Sequence, residues 1–163
     1  MKKRIFIALI LILMLVPTFI AQANKPAPSL TVTTEYIFVG HFGEFDVEGR
    51  LLAWQGTVEG DIEGVIKWWM VVPFNVTGQV SHYVDRWEIW NLEETDLLLA
   101  GEEFGSTTNR PGLNGVWRTN GTVTETSLGF EDWFGRQSHA GGEFIWAVPG
   151  EVPSHGWGTF RIN

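Results

Sequence analysis

The chain of 163 residues contains no cysteine. That excludes a disulfide staple and a lipid-modified cysteine anchor, so stability has to come from the core alone. Metal patterns are equally scarce. The histidines His41, His82, His139 and His155 are scattered, no H-x-x-x-H pair occurs, and Gly60-Asp61-Ile62-Glu63 lacks the ligand spacing of a calcium loop. Neither a G-x-x-x-x-G-K phosphate loop nor a G-x-S-x-G nucleophile elbow is present. No metal and no cofactor is therefore expected. Positive charge is also in short supply, with 11 Lys+Arg against 19 Asp+Glu and a formal net charge of −8. Such a surface repels phosphate backbones, so nucleic acid is not an expected partner, and the plainer meaning of the charge is solubility. Helical periodicity is missing too: no window of about a dozen residues repeats apolar positions at i, i+3, i+4 and i+7.

One long apolar run is present, at the N-terminus. Lys2, Lys3 and Arg4 precede an apolar stretch over residues 5–20, broken only by Pro17 and Thr18, and Ala21-Gln22-Ala23 supplies a small-x-small cleavage pattern. Residues 1–23 are expected to be a signal peptide cut after Ala23, which makes the protein secreted or periplasmic. An uncleaved membrane anchor is the alternative, since a span needs about 20 apolar residues; Pro17 and the A-x-A pattern favour cleavage. Losing that leader removes three basic residues and no acidic one, taking the formal charge from −8 to −11. Residues 24–29, with Pro26 and Pro28, read as a flexible exit segment, and residues 30–163 as a single domain.

What is abundant is glycine and tryptophan, 19 and 9 residues. Strand-like runs follow one another closely, over residues 30–39, 42–48, 51–59, 62–72, 80–91, 97–104, 116–125, 130–137, 142–148 and 157–162. Residues 92–96 read as a turn between two of them. Alternation is clear in several runs. In 62–72 the even positions Ile62, Gly64, Ile66, Trp68, Met70 and Val72 are apolar or glycine, whereas Glu63 and Lys67 occupy odd ones. Leu52, Trp54 and Val58 repeat this, as do Phe144, Trp146 and Val148. Glycines inside the runs (Gly56, Gly64, Gly121, Gly135) suit bulges or bends that curve a sheet. The expected fold is all-β, an antiparallel barrel of about eight strands, preferred over a sandwich.

Two stretches, GTVEGDIEGVIKWWMV at 56–71 and GVWRTNGTVTETSLGFEDWFGRQSHAGGEFIW at 115–146, resemble the glycine-punctuated hairpins of the allene oxide cyclase and dirigent-like barrel superfamily. The likeness covers a third to half of the chain. It implies an eight-stranded antiparallel barrel with an internal cavity for an apolar small molecule, and it carries over no catalytic residue. Lipocalin- and avidin-like barrels would show much the same alternation.

Candidate chemistry is sparse. Ser81-His82 and Ser138-His139 are sequence neighbours, but adjacent strand residues point to opposite faces and cannot form a Ser–His unit. Glu88, Glu102 or Glu125 could converge as a glycosidase pair, although solvated strand and turn carboxylates are the plainer reading. The stretch SHYVDRWEIWN, residues 81–91, mixes aromatic and ionisable residues. Its odd set, Ser81, Tyr83, Asp85, Trp87 and Ile89, reads as the inward face, leaving His82, Arg86 and Glu88 in water; in the reversed register these three would enter the lumen.

The function expected is binding of a small, mainly apolar molecule in a barrel cavity, with cyclase- or dirigent-like activity implied by the resemblance alone. Trp68 and Met70 are the candidate wall, and Arg86, Glu88 and Arg118 the candidate orienting groups. The alternatives are a carbohydrate-binding module using exposed Trp (Trp69, Trp90 and Trp133 being the residues whose placement is open) and an envelope interaction protein without a ligand. The sequence leaves oligomeric state undetermined.

Overall fold

A computed structural model of the chain describes residues 29–41, 52–77, 80–108, 115–148 and 152–163. They form eight strands: β1 (Leu30–His41), β2 (Leu52–Gly60), β3 (Gly64–Thr77), β4 (Val80–Trp90), β5 (Leu97–Thr108), β6 (Gly115–Thr126), β7 (Gln137–Val148) and β8 (Val152–Ile162). Each pairs antiparallel with the next, and β8 returns to β1, with Leu30 opposite Ile162, so the barrel is closed. The expected all-β barrel is the fold observed. Closure satisfies every strand edge within the chain, which an open sheet of this length would leave exposed.

Period-two burial is most legible in β4. Ser81, Tyr83, Asp85, Trp87 and Ile89 are buried, while Val80, His82 and Arg86 are exposed. The odd face is therefore the inward one. On β3 the inward set is Ile66, Trp68 and Met70, as the alternation predicts. An eight-stranded barrel has an interior only wide enough to be filled by side chains or to hold one small ligand. This one fits large aromatics by placing glycine beside them in register. Across four strands the row reads Phe144, Gly156, Tyr36, Gly56. A methyl group at Gly156 would collide with the Tyr36 ring, and one at Gly158 would meet Trp117 at 2.7 Å.

Two of the expected elements differ. The run 130–137 is a 3-10 turn, Glu131–Trp133, and β7 begins only at Gln137. Positive φ at Gly129 (91°) and Gly135 (75°) breaks the extended chain on both sides of it. Phe130 and Trp133 then pack onto the core. The run 62–72 starts as a bend, with the strand proper from Gly64. The turn over 92–96 forms as expected: Asn91 Oδ1 accepts from the N–H groups of Thr95 and Asp96 at 2.9 and 3.2 Å. The expected strand 42–48, the leader and residues 24–28 lie outside the described residues.

The barrel interior divides into two halves. Towards the β2–β3, β4–β5 and β6–β7 connections it is filled by Val32, Val58, Ile66, Trp87, Ile89, Leu99, Val123, Phe160 and Ile162, all 0–1% exposed. Trp87 and Phe160 meet there edge to face, 4.7 Å between ring centroids. Asp85 sits two residues along β4 from Trp87, where this apolar plug ends.

Candidate ligand cavity

Beyond the plug lies a cavity of about 50 Å³. Its wall is mostly aromatic: Tyr36 from β1, Trp54 from β2, Trp68 and Met70 from β3, Tyr83 and Asp85 from β4, Thr107 from β5, Trp117 from β6 and Phe144 from β7. Seven strands thus contribute, each through an inward position of its alternation. Tyr36, Trp68 and Trp117 stand mutually edge to face, with centroid separations of 5.3 Å (Tyr36–Trp68), 5.9 Å (Tyr36–Trp117) and 6.3 Å (Trp68–Trp117). This is the arrangement that ring quadrupoles prefer.

The polar part of the site is a buried carboxyl pair. Asp85 and Glu103 are directly opposite on β4 and β5, both inward and 6% and 2% exposed. Opposite positions place the two Cβ atoms about 4.5–5.5 Å apart. Glu103 lies over Gly121, the residue across from it on β6, where any Cβ would meet its Cγ at 2.5 Å. Thr119 donates its hydroxyl to Glu103 Oε2 at 2.6 Å. Asp85 Oδ1 accepts no hydrogen bond.

Burial dominates the chemistry of the pair. Desolvation, and secondarily the neighbouring Glu103, hold the Asp85 carboxyl well above the usual carboxylate range, and its own backbone N–H offsets this only in part. Desolvation likewise raises Glu103 from 4.5 to about 7, against opposing hydrogen bonds from Thr119 and then Ser138. Tyr36 and Tyr83 are pushed further up than a free phenol, first by burial and then by Asp85. Among the described side chains, no Lys, Arg or His faces the interior to compensate. The site can therefore donate from phenols and protonated carboxyls, and accept at Asp85 Oδ1.

The residues singled out from sequence separate into two groups. Trp68 and Met70 line the cavity. Arg86, Glu88 and Arg118 lie on the outer face: Arg86 pairs with Glu102 at 3.0 Å, both about half exposed, Glu88 accepts from Trp90 Nε1 at 2.8 Å, and Arg118 is exposed. The structure does not bring them to Trp68 and Met70. Glu102 and Glu125 are exposed as well, so the carboxylates that converge are Asp85 and Glu103 instead. Ser81 and Ser138 are buried while His82 and His139 are exposed, which separates both Ser–His neighbours. Trp69 is buried, and Trp90 and Trp133 are half-buried, with Lys67 Nζ 5.2 Å from the Trp90 ring.

A second concavity, about 380 Å³, lies on the outside of β1, β2 and β8 between Thr33, Glu35, Thr57, Glu59, Trp157 and Thr159. Trp157 is 37% exposed there. No group of three or more His, Cys, Asp or Glu able to hold a metal ion occurs among the described residues. No protein-family model matches the chain, and no curated protein and no solved structure matches it.

Proposed function

We propose that this chain binds a small, mainly apolar molecule inside the barrel. One observation carries the reading: an aromatic-walled cavity with a buried carboxyl, Asp85, in its wall. Interiors of folded domains are normally close-packed, and a buried acid is costly unless it is bonded or used. A pocket of apolar walls and a few convergent polar groups is the usual form of a small-molecule site. The volume sets the scale. About 50 Å³ admits a group of a few heavy atoms, not an entire drug-sized ligand.

The basic, apolar and small-residue order of residues 1–23 supports export, and the reading takes the barrel to work outside the cytoplasm. A cyclase- or dirigent-like use of the cavity rests on the resemblance of residues 56–71 and 115–146; in such a use the barrel would steer ring closure by shape, without a covalent nucleophile.

Titrating 1-butanol against intrinsic tryptophan fluorescence tests the reading. Saturable quenching is expected in wild type and is expected to vanish in Met70→Trp, which fills the cavity. A linear, unsaturating response in both proteins would remove the proposal. A carbohydrate-binding reading has one observation behind it, Trp157 beside the outer cleft. Retention on insoluble polysaccharide that disappears in Trp157→Ala would favour that reading.

A further inference from the structure

Three features meet at the cavity. Tyr36, Trp68 and Trp117 surround it edge to face, within 5.3–6.3 Å of one another. Asp85 lines it with Oδ1 accepting no hydrogen bond, and Glu103 lies directly opposite. No described Lys, Arg or His side chain faces the interior to balance these two acids. Ring faces carry negative potential and attract cations, above all where water is scarce. A buried carboxyl gains most from a partner that brings both positive charge and N–H donors.

We infer that the cavity takes the ammonium head of a small alkylamine, its N–H groups on the Asp85 carboxyl and its carbons against Trp68 and Trp117. The inference rests on the ligand-binding reading above and narrows it to one charge class. The size agrees: a water needs roughly 10–15 Å³ on this scale, so about 50 Å³ suits some three to five heavy atoms, as in a four-carbon amine. No described cationic side chain faces the interior to pair with an anion, and a chain of formal net charge −8 concentrates cations near the barrel.

Charge balance sets a signature. The amine arrives as its ammonium. Burial, and secondarily Glu103, favour the protonated form of the Asp85 carboxyl, so pairing with the ammonium as carboxylate sends a proton to the buffer. The other titratable groups facing it are Glu103 on β5, Tyr36 on β1 and Tyr83 on β4. The described inward side chains of β2, β3, β6, β7 and β8 include none.

Calorimetric titration at about pH 7.5 with butylammonium chloride and with 1-butanol, its neutral isostere, provides the test. Wild type is expected to bind butylammonium at least about ten-fold more tightly and to release protons on binding, read from the heats in two buffers of different ionisation enthalpy. Asp85→Asn is expected to lose both the preference and the proton release. Equal or tighter binding of 1-butanol by wild type would overturn the cation inference and leave the cavity reading intact, whereas saturable binding of neither would overturn both. A preference that persists in folded Asp85→Asn also overturns it. The wild-type comparison and the proton release decide the matter even if that variant does not fold.

Discussion

Replacing Glu103 by Gln should make the protein more stable above neutral pH and leave it nearly unchanged in acid. Below about pH 4.5 both folded and unfolded chains hold the Glu103 proton. Between 4.5 and about 7 the fold still holds it while the unfolded chain has released it, so stability falls as pH rises. The maximal slope is about 1.4 kcal/mol per pH unit, which over that interval removes roughly 3 kcal/mol. Asp85 is shifted in the same direction and adds to the decline. Gln keeps the shape and still accepts the Thr119 hydroxyl, but it has no proton to lose. Urea unfolding, followed by tryptophan fluorescence from about pH 4 to pH 8, should therefore give two curves that meet in acid. By pH 8 the variant should lead by roughly 3 kcal/mol. Parallel curves, or a wild type that gains on the variant with rising pH, would refute the burial of an uncompensated carboxyl at this position.

Trp68→Ala should cost about 3–5 kcal/mol in the same assay, because the indole is 6% exposed and packs between Tyr36 and Trp117. Gly105→Ala should lose about 1–3 kcal/mol, since the new methyl would run into the Tyr83 ring; no loss would show that the two strands separate easily there. Arg86→Ala should change stability by less than about 1 kcal/mol and leave 1-butanol affinity untouched, its partner Glu102 being as solvated as itself.

Alternation made most of the barrel legible. The even face of β3 and the odd face of β4 were readable because one side of each strand is dry, and a slip of one residue would invert every side chain. The segment 130–137 was not, because Phe130, Trp133 and Phe134 look strand-like while the information that breaks the strand sits in Gly129 and Gly135. The wall residues Trp68 and Met70 followed from the pattern. The carboxyl pair was half visible: alternation already put Asp85 between Tyr83 and Trp87 on the inward face, and an acid in that company is itself a signal. Glu103 could be found only by pairing, since nothing in either strand alone shows that β4 and β5 bring residues 85 and 103 opposite. Arg86, Glu88 and Arg118 drew notice as charged groups near aromatics, yet their parity assigns them to water.

The most direct test of ligand binding inside the barrel is a ¹⁵N–¹H map of the indole resonances of the nine tryptophans during titration with 1-butanol. Trp54, Trp68 and Trp117 line the cavity, whereas Trp90 and Trp157 are outward. Binding in the lumen predicts saturable shifts at the first three and none at Trp90 or Trp157. Shifts confined to Trp157, or absent from all five, would contradict it.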